Sequence, residues 1–262
     1  MEDKNYLISI FVTNYNKSKY LQQTLQSIKN QRYKNFEIII YDDCSEDNSV
    51  QIINNFKLKN KKKIFNKKKI SNIAELNQLN GLKQCLKVSR GKIICLLDGD
   101  DKFKKNKLYL VNKFFRKNIK SMFLVNNISN KNKNFNKKLI RITKDWPVIY
   151  PTSCISMRRE FFKNFIKEKL DYDFPLLAVD LRLIFFAKFF FKDNNFLEEK
   201  LTFYRFDKKN NENNYKKFNK RWWLRRYQAF EFLKLIKKRK RLKFNYSIDY
   251  FFTFIINYFL IK

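Results

Sequence analysis

Three carboxylates fall within four positions at Asp98-Gly99-Asp100-Asp101, directly after the apolar stretch KIICLL at 92–97. A second acidic pair, Asp42-Asp43, closes the run FEIIIYDD at 36–43. Carboxylates crowded at a strand end repel one another unless basic residues or a cation neutralise them. Hard oxygen ligands suit Mg2+ or Mn2+, which keep waters and bind substrate phosphates. The chemistry implied is a cation held by acids, and a diphosphate held by the cation. Gly99 would let the chain turn sharply and a ligand approach the backbone. The plainer reading makes these acids turn residues and helix caps, since Asp-Gly is a common turn. The chain has no histidine, so a general base working near neutral pH must be a carboxylate, Lys, Tyr or Cys.

The elements that must position these acids alternate. LISIFVT at 7–13 reads as a strand buried on both faces. A helix with Leu21, Leu25 and Ile28 on one face follows, with Ser18 as its N-cap. After the strand at 36–43, Ser45 is the expected cap of a second helix, with Glu46 and Asp47 in its first turn. The segment 57–70 is Lys-rich and holds a short strand at Ile64 and Phe65. A helix at 74–89 presents Leu76, Leu79, Leu82 and Leu86, and leads to the strand at 92–97. Such alternation predicts an α/β sheet with right-handed crossovers, whose ligands bind beyond the carboxyl ends of the strands. Both acidic clusters then face one crevice. The second half reads as a strand at 121–128, an exposed loop at 129–138, a turn, strand and helix start over 145–162, an apolar helix at 176–191 and a strand at 196–206. Residues 207–218 are polar; a basic amphipathic helix begins at Trp222, and an aromatic, apolar tail follows.

Among 262 residues, 58 Lys and Arg face 24 Asp and Glu, a net charge of +34. That charge suits a polyanionic partner, nucleic acid or an anionic membrane. Abundant Lys, Asn, Ile, Phe and Tyr also fit an A/T-rich coding bias that leaves a solvated Lys surface. The cysteines Cys44, Cys85, Cys95 and Cys154 form no C-x-x-C pair, and reduced thiols in a cytosolic setting are expected. The first ten residues do not read as a signal peptide, and no apolar run reaches transmembrane length.

Three motifs resemble the family 2 glycosyltransferases: ISIFVTNYN, YLQQTLQSIKNQRYKNFEIIIYDDCSEDNS and RGKIICLLDGDDKFKKNKL. The resemblance covers the first ~110 residues in the family's order and spacing. It implies a GT-A fold, a Rossmann-like, mostly parallel sheet flanked by helices, with amphipathic helices at the C-terminal end. It implies transfer of a sugar from a nucleotide-diphosphate donor, UDP-sugar foremost, with inversion. Residues 1–101 would form the nucleotide-sugar-binding half, 102–210 the acceptor-binding half of the same domain, and 211–262 a basic, aromatic helical extension. Thr13 and Tyr15 would flank the base, Asp43 would accept its N–H with Asp42 alongside, Asp98 would lie near the ribose and donor sugar, and Asp100 would bind Mn2+ or Mg2+. Asp101 would be structural or contact the sugar. The A-R-N segment of many members is replaced by NQLNGLKQ, where Lys83 could supply the arginine's charge.

The family's base is an acid in the second half. LLAVDLRL offers Asp180, whose apolar setting suits proton abstraction; Asp171 and Asp173 are rivals, and the plain alternative makes Asp180 a helix cap. In LTFYRFD, Tyr204 and Arg205 match a late family segment, Arg205 as a diphosphate contact, while Asp207 stands where His is frequent. The resemblance of PTSCISMRREFF to the acceptor-side strand is weaker. RWWLRRYQAFEFLKLIKKRKR has the pattern of a helix lying on an anionic membrane, which would suit a lipid-linked or glycan acceptor in surface polysaccharide or lipopolysaccharide synthesis. Two other readings compete. A basic nucleic-acid-binding protein would leave the acidic strand ends unexplained, so no nucleic-acid partner is expected. A sugar nucleotidyltransferase would need a Gly-rich loop after the first strand, where TNYNKSKY has no glycine.

Overall fold

The computed structural model describes residues 5–129, 146–170, 173–206 and 216–261. Eight strands form one mixed sheet in the order β3-β2-β1-β4-β7-β6-β8-β5. The strands are β1 Ile8–Asn14, β2 Phe36–Asp42, β3 Lys61–Phe65, β4 Ile93–Asp98, β5 Lys102–Phe103, β6 Phe123–Ile128, β7 Ile155–Arg158 and β8 Phe196–Phe203. The helices are α1 Ser18–Lys29, α2 Ser49–Asn55, α3 Ala74–Val88, α4 Lys107–Lys117, α5 Arg159–Lys167, α6 Val179–Phe186, α7 Lys220–Arg239 and α8 Ile248–Ile261.

Strands β1, β2, β3 and β4 pair in parallel, while β7 runs antiparallel between β4 and β6. The unbroken apolar runs of β1, β2 and β4 are buried on both faces, as helices on each side of a parallel sheet require. Two apolar layers result: Leu21, Leu25 and Ile28 of α1 cover one face with Leu108, Val111 and Phe115 of α4, and α3, α5, α6 and α7 pack the other around Phe161, Phe165 and Phe186. The pairing register sets Thr13 beside Tyr41 on one side and Asp98 on the other, with Asn14 beside Asp42. Chain order reverses between β1 and β4, which is where open α/β sheets bind ligands.

Local details differ from the sequence reading. Ser18 is the first residue of α1 rather than its cap, and its N–H donates to Asp47 Oδ2 at 2.8 Å. The second helix starts later than expected, with Asn48 preceding Ser49, because Ser45 is drawn to Asp42 instead. The apolar helix expected over 176–191 is α6 plus a π-helical turn, Ala187–Phe191. Of the four leucines expected on one face of α3, Leu79, Leu82 and Leu86 are buried and Leu76 is half-exposed. The amphipathic helix begins two residues early, with Asn219 capping the Trp222 N–H, and its apolar side (Phe230, Phe232, Leu233, Ile236) is buried in the domain. The loop at 129–138 lies, from residue 130, outside the described residues, as does most of the polar stretch at 207–218.

Glu37 pins the opposite, amino-terminal edge of the sheet. It is 1% exposed and accepts hydrogen bonds from Ser9 Oγ (2.7 Å), the Gly91 N–H (3.1 Å) and the Arg90 N–H, with Lys62 at 3.5 Å. Burial alone would raise its pKa, but these donors and Lys62 outweigh it and hold the carboxyl below its usual value of 4.5. Replacing Glu37 by Ala strands three donors, so urea unfolding at pH 7 should show a loss of about 3 kcal/mol. A depressed folded pKa contributes stability above the unfolded value and loses it in acid. The gap between wild type and Glu37→Ala should therefore narrow below pH 4.5; a gap independent of pH would refute the ionic role.

Candidate active site at the carboxyl edge of the sheet

Asp98 ends β4 beside Thr13 of β1. Thr13 Oγ1 donates to Asp98 Oδ1 at 3.1 Å, and Gln78 Nε2 of α3 donates to the same oxygen at 2.7 Å. The Asp98 N–H donates to Ser153 Oγ at 3.0 Å, which ties the acid to the turn leading into β7. Burial, then the neighbouring Asp100 carboxylate, and further the Asp180 charge push the Asp98 carboxyl up to about 7, against the pull of Thr13 and Lys17. Asp180, 82 positions further along the chain, is thus close enough for its charge to act on Asp98. Asp180 sits half-buried in the first turn of α6 and is not its cap, a place Ala178 takes. The rival Asp173 is exposed, and Asp171 lies outside the described residues, as does Asp207.

Asp100 is 6% exposed and its Oδ2 lies 2.6 Å from Lys17 Nζ. Asp101 is turned inward: Oδ1 accepts the Arg205 N–H at 2.8 Å, while Oδ2 is buried without a hydrogen bond. Burial, Asp98 and Asp100 raise its pKa well above the usual carboxylate value. Gly99 does not adopt a positive φ; glycine is required because a Cβ there would stand 2.4 Å from Asn14 Oδ1. The chain turns at Gly99 as expected, with the Asp101 N–H donating to the Asp98 carbonyl at 3.1 Å, and it is the close approach of β1 that demands glycine.

At the end of β2 the two acids part. Asp42 is enclosed, accepting Asn14 Nδ2 (2.7 Å), Ser45 Oγ (2.8 Å) and the Ser45 N–H (2.9 Å), so it organises the turn from within. Asp43 lies just beyond β2, 8% exposed, and Oδ1 accepts Asn66 Nδ2 at 2.8 Å and Tyr41 Oη at 3.3 Å. Tyr15 is 41% exposed, with Lys69 Nζ 3.6 Å from its ring centroid. Arg205 is engaged locally: Nε donates to the Asp100 carbonyl (2.9 Å), a terminal nitrogen donates to Gln23 Oε1 (3.1 Å), and the guanidinium lies 4.1 Å from the Tyr20 ring centroid. Lys83 lies five residues beyond Gln78 on α3, about 7.5 Å further along the helix axis. The α3 side chain that meets Asp98 is Gln78, a residue of the NQLNGLKQ segment that sequence reading passed over.

Three further residues were given no role by the sequence reading. Lys17 is one Lys among many in the sequence and nothing in its spacing marks it. Lys107 is fully buried, with Nζ donating to the Ser153 carbonyl and to Thr202 Oγ1 (3.0 Å); burial lowers its pKa to about 8. Arg182 is also fully buried and donates to the carbonyls of Leu170, Phe174 and Leu177, which folds the lead-in to α6 and so places Asp180.

The model of the Glycosyl transferase family 2 matches residues 9–189, more than half of the chain. The chain belongs to this family. It is 37% identical over 96 residues to the Escherichia coli UDP-Glc:alpha-D-GlcNAc-diphosphoundecaprenol beta-1,3-glucosyltransferase WfaP, an alignment covering 36% of each protein. The chain spans about a third of the length of the curated relatives it matches. Two solved structures share its fold. Staphylococcus aureus TarS 1-349 with UDP-GlcNAc superposes with TM-score 0.64 at 17% identity, covering 97% of this chain and 71% of that one. The mannosyltransferase PcManGT of Pyrobaculum calidifontis, with GDP-Man and Mn2+, gives 0.66 at 13% identity, covering 98% and 70%. The family 2 chain has the GT-A fold, with the helices α7 and α8 added behind the sheet.

A carboxyl whose folded pKa stands above its unfolded value of 3.8 lowers stability as pH rises between the two values, here to about 7. NMR titration of the Asp98 carboxyl carbon, without metal, should give a midpoint near 7 that Asp100→Asn moves downward. A wild-type midpoint near 3.8 would contradict the crowding of charge.

Proposed function

We propose that this chain is an inverting glycosyltransferase that moves a sugar from a nucleotide-diphosphate donor, a UDP-sugar foremost, to a hydroxyl of a glycan or lipid-linked acceptor in surface polysaccharide synthesis. The observation that carries this reading is the crowding of Asp98 and Asp100 at the end of β4, within electrostatic reach of Asp180 from the second half of the chain. Family membership supports it, as do the UDP-Glc and diphosphoundecaprenol in the name of WfaP and the nucleotide sugars held by the two structural neighbours.

The residues at the edge fit a divalent cation. Their donors are hard carboxylate oxygens, their negative charge is under-compensated, and only Lys17 contributes a salt bridge to Asp100 among the described contacts. Among the described residues no three acids, cysteines or histidines are gathered around one point, so one or two carboxylates with substrate phosphate would have to complete the coordination. Asp100, with Asp98 beside it, would hold Mn2+ or Mg2+. Bound there, the ion would supply Lewis-acid neutralisation of the charge on the departing diphosphate.

The chain's own residues do the rest. Asp43 accepts an N–H of the base, and the Tyr15 ring offers a stacking face once Lys69 swings aside. Thr13 and Gln78 hold Asp98 in place at the mouth of the crevice. Asp180 takes the proton of the acceptor hydroxyl as that oxygen bonds to the anomeric carbon. The bond to the diphosphate oxygen breaks on the opposite face, which inverts the centre.

Calorimetric titration of UDP, GDP and dTDP, with and without Mn2+, tests the donor site. Metal-dependent binding of one nucleotide, lost in Asp100→Ala, is expected; no binding by the folded protein would sink the assignment. Asp180→Asn should lower kcat by about 10²–10⁴-fold while leaving nucleotide affinity unchanged. Unchanged turnover would remove Asp180 from the role of base.

A further inference from the structure

Helix α8 is built inside out. Its polar residues face α7: Arg226 pairs with Asp249, Arg226 Nε donates to Thr253 Oγ1 (3.2 Å), and Asn257 Nδ2 donates to the Trp223 carbonyl (3.0 Å). Thr253 and Asn257 are buried at 0% and 2% exposure, whereas Ile248 is 77%, Phe252 60% and Phe259 71% exposed. With Phe251, Ile255 and Tyr258 these residues form one apolar face at 3.6-residue spacing, turned away from the protein. A helix meant to face water presents the opposite arrangement, and a contiguous exposed patch of this kind marks an interaction surface.

Charge identifies what covers it. The last turn of α7 and its connection to α8 carry Lys238, Lys240, Arg241 and Lys243, all exposed, beside exposed Leu242 and Tyr246. A second copy would bring the same cations on a chain of net charge +34, so self-association through this face is opposed electrostatically. An anionic lipid surface satisfies both features, taking aromatic side chains at the acyl boundary and cations among the headgroups. At 14 residues α8 is about 21 Å long, too short for a hydrocarbon core of ~30 Å, and no helix among the described residues is long and apolar enough to cross a membrane.

We infer that the outward face of α8, with the basic α7–α8 connection, docks the protein on an anionic lipid surface. The surface helix is therefore α8, not α7, whose apolar side the domain has already buried. This inference is independent of the donor-site assignment and places the enzyme beside a lipid-linked acceptor.

Co-sedimentation of the full chain with phosphatidylcholine vesicles, with and without phosphatidylglycerol, tests it. The protein should pellet with the anionic vesicles. The double variant Phe252→Asp/Phe259→Asp should weaken that partition by about tenfold or more. Lys240→Glu/Arg241→Glu should weaken it by about fivefold per site, and added salt should do likewise. Both pairs are exposed, so circular dichroism and nucleotide binding should be unchanged. Absence of partition, partition indifferent to the Phe pair, or a lipid-free dimer that this pair dissolves would overturn the inference.

Discussion

Mutual repulsion of carboxylates at the end of β4 is the constraint around which the domain is arranged. Asp98, Asp100 and Asp101 fall within four positions, and Asp180 adds its charge from the other half of the chain. Such a cluster destabilises a fold unless its neighbours are donors or cations. They are: Thr13 from β1, Gln78 from α3, Lys17 from the β1–α1 loop and Arg205 after β8, while Ser153 from the turn before β7 accepts the Asp98 N–H and fixes the backbone there. Five separate segments meet at one turn, which explains why a continuous sheet spans both halves of the chain.

The two edges of the sheet treat buried acids in opposite ways. Glu37, at the amino edge, receives enough donors to stay ionised despite burial. At the carboxyl edge, Asp98 and Asp101 are left short, with Asp101 Oδ2 unpartnered and both pKa values raised. The same fold that satisfies one carboxylate fully therefore leaves others under-compensated where a cationic ligand would enter. Perturbed groups held at such expense to stability are characteristic of functional sites. Glu37 is the internal control that separates this from poor packing.

The paired helices α7 and α8 show the same logic at the surface. Helix α7 buries Phe230, Phe232, Leu233 and Ile236 against the domain, while α8 directs Thr253, Asn257 and the Tyr250 hydroxyl inward and Phe251, Phe252 and Phe259 outward. An ion pair and three side-chain hydrogen bonds, including Tyr250 Oη to Glu231, hold α8 in that orientation. The apolar side is left to an outside phase.

Strand and helix alternation was legible from residue order because buried strands need unbroken apolar runs and the helices beside them need an apolar stripe, both of which are local patterns. The acids at the ends of β2 and β4 were legible for the same reason, being punctuation at the end of such runs. Sequence could not assign their separate tasks. Asp42 and Asp43 are adjacent and chemically identical, yet one is held by Asn14 and Ser45 and the other by Asn66 and Tyr41, because strand alternation sends neighbours to opposite sides. Lys17, Gln78, Lys107 and Arg182 were invisible among 58 cations and many polar residues, since their importance comes from partners up to 95 positions away, as with Lys107 and Thr202. Sequence by itself determined the sheet, the acidic edge and the family. Which side chains complete the site, and which helix faces outward, only tertiary structure decided, because burial and charge compensation are set by long-range neighbours.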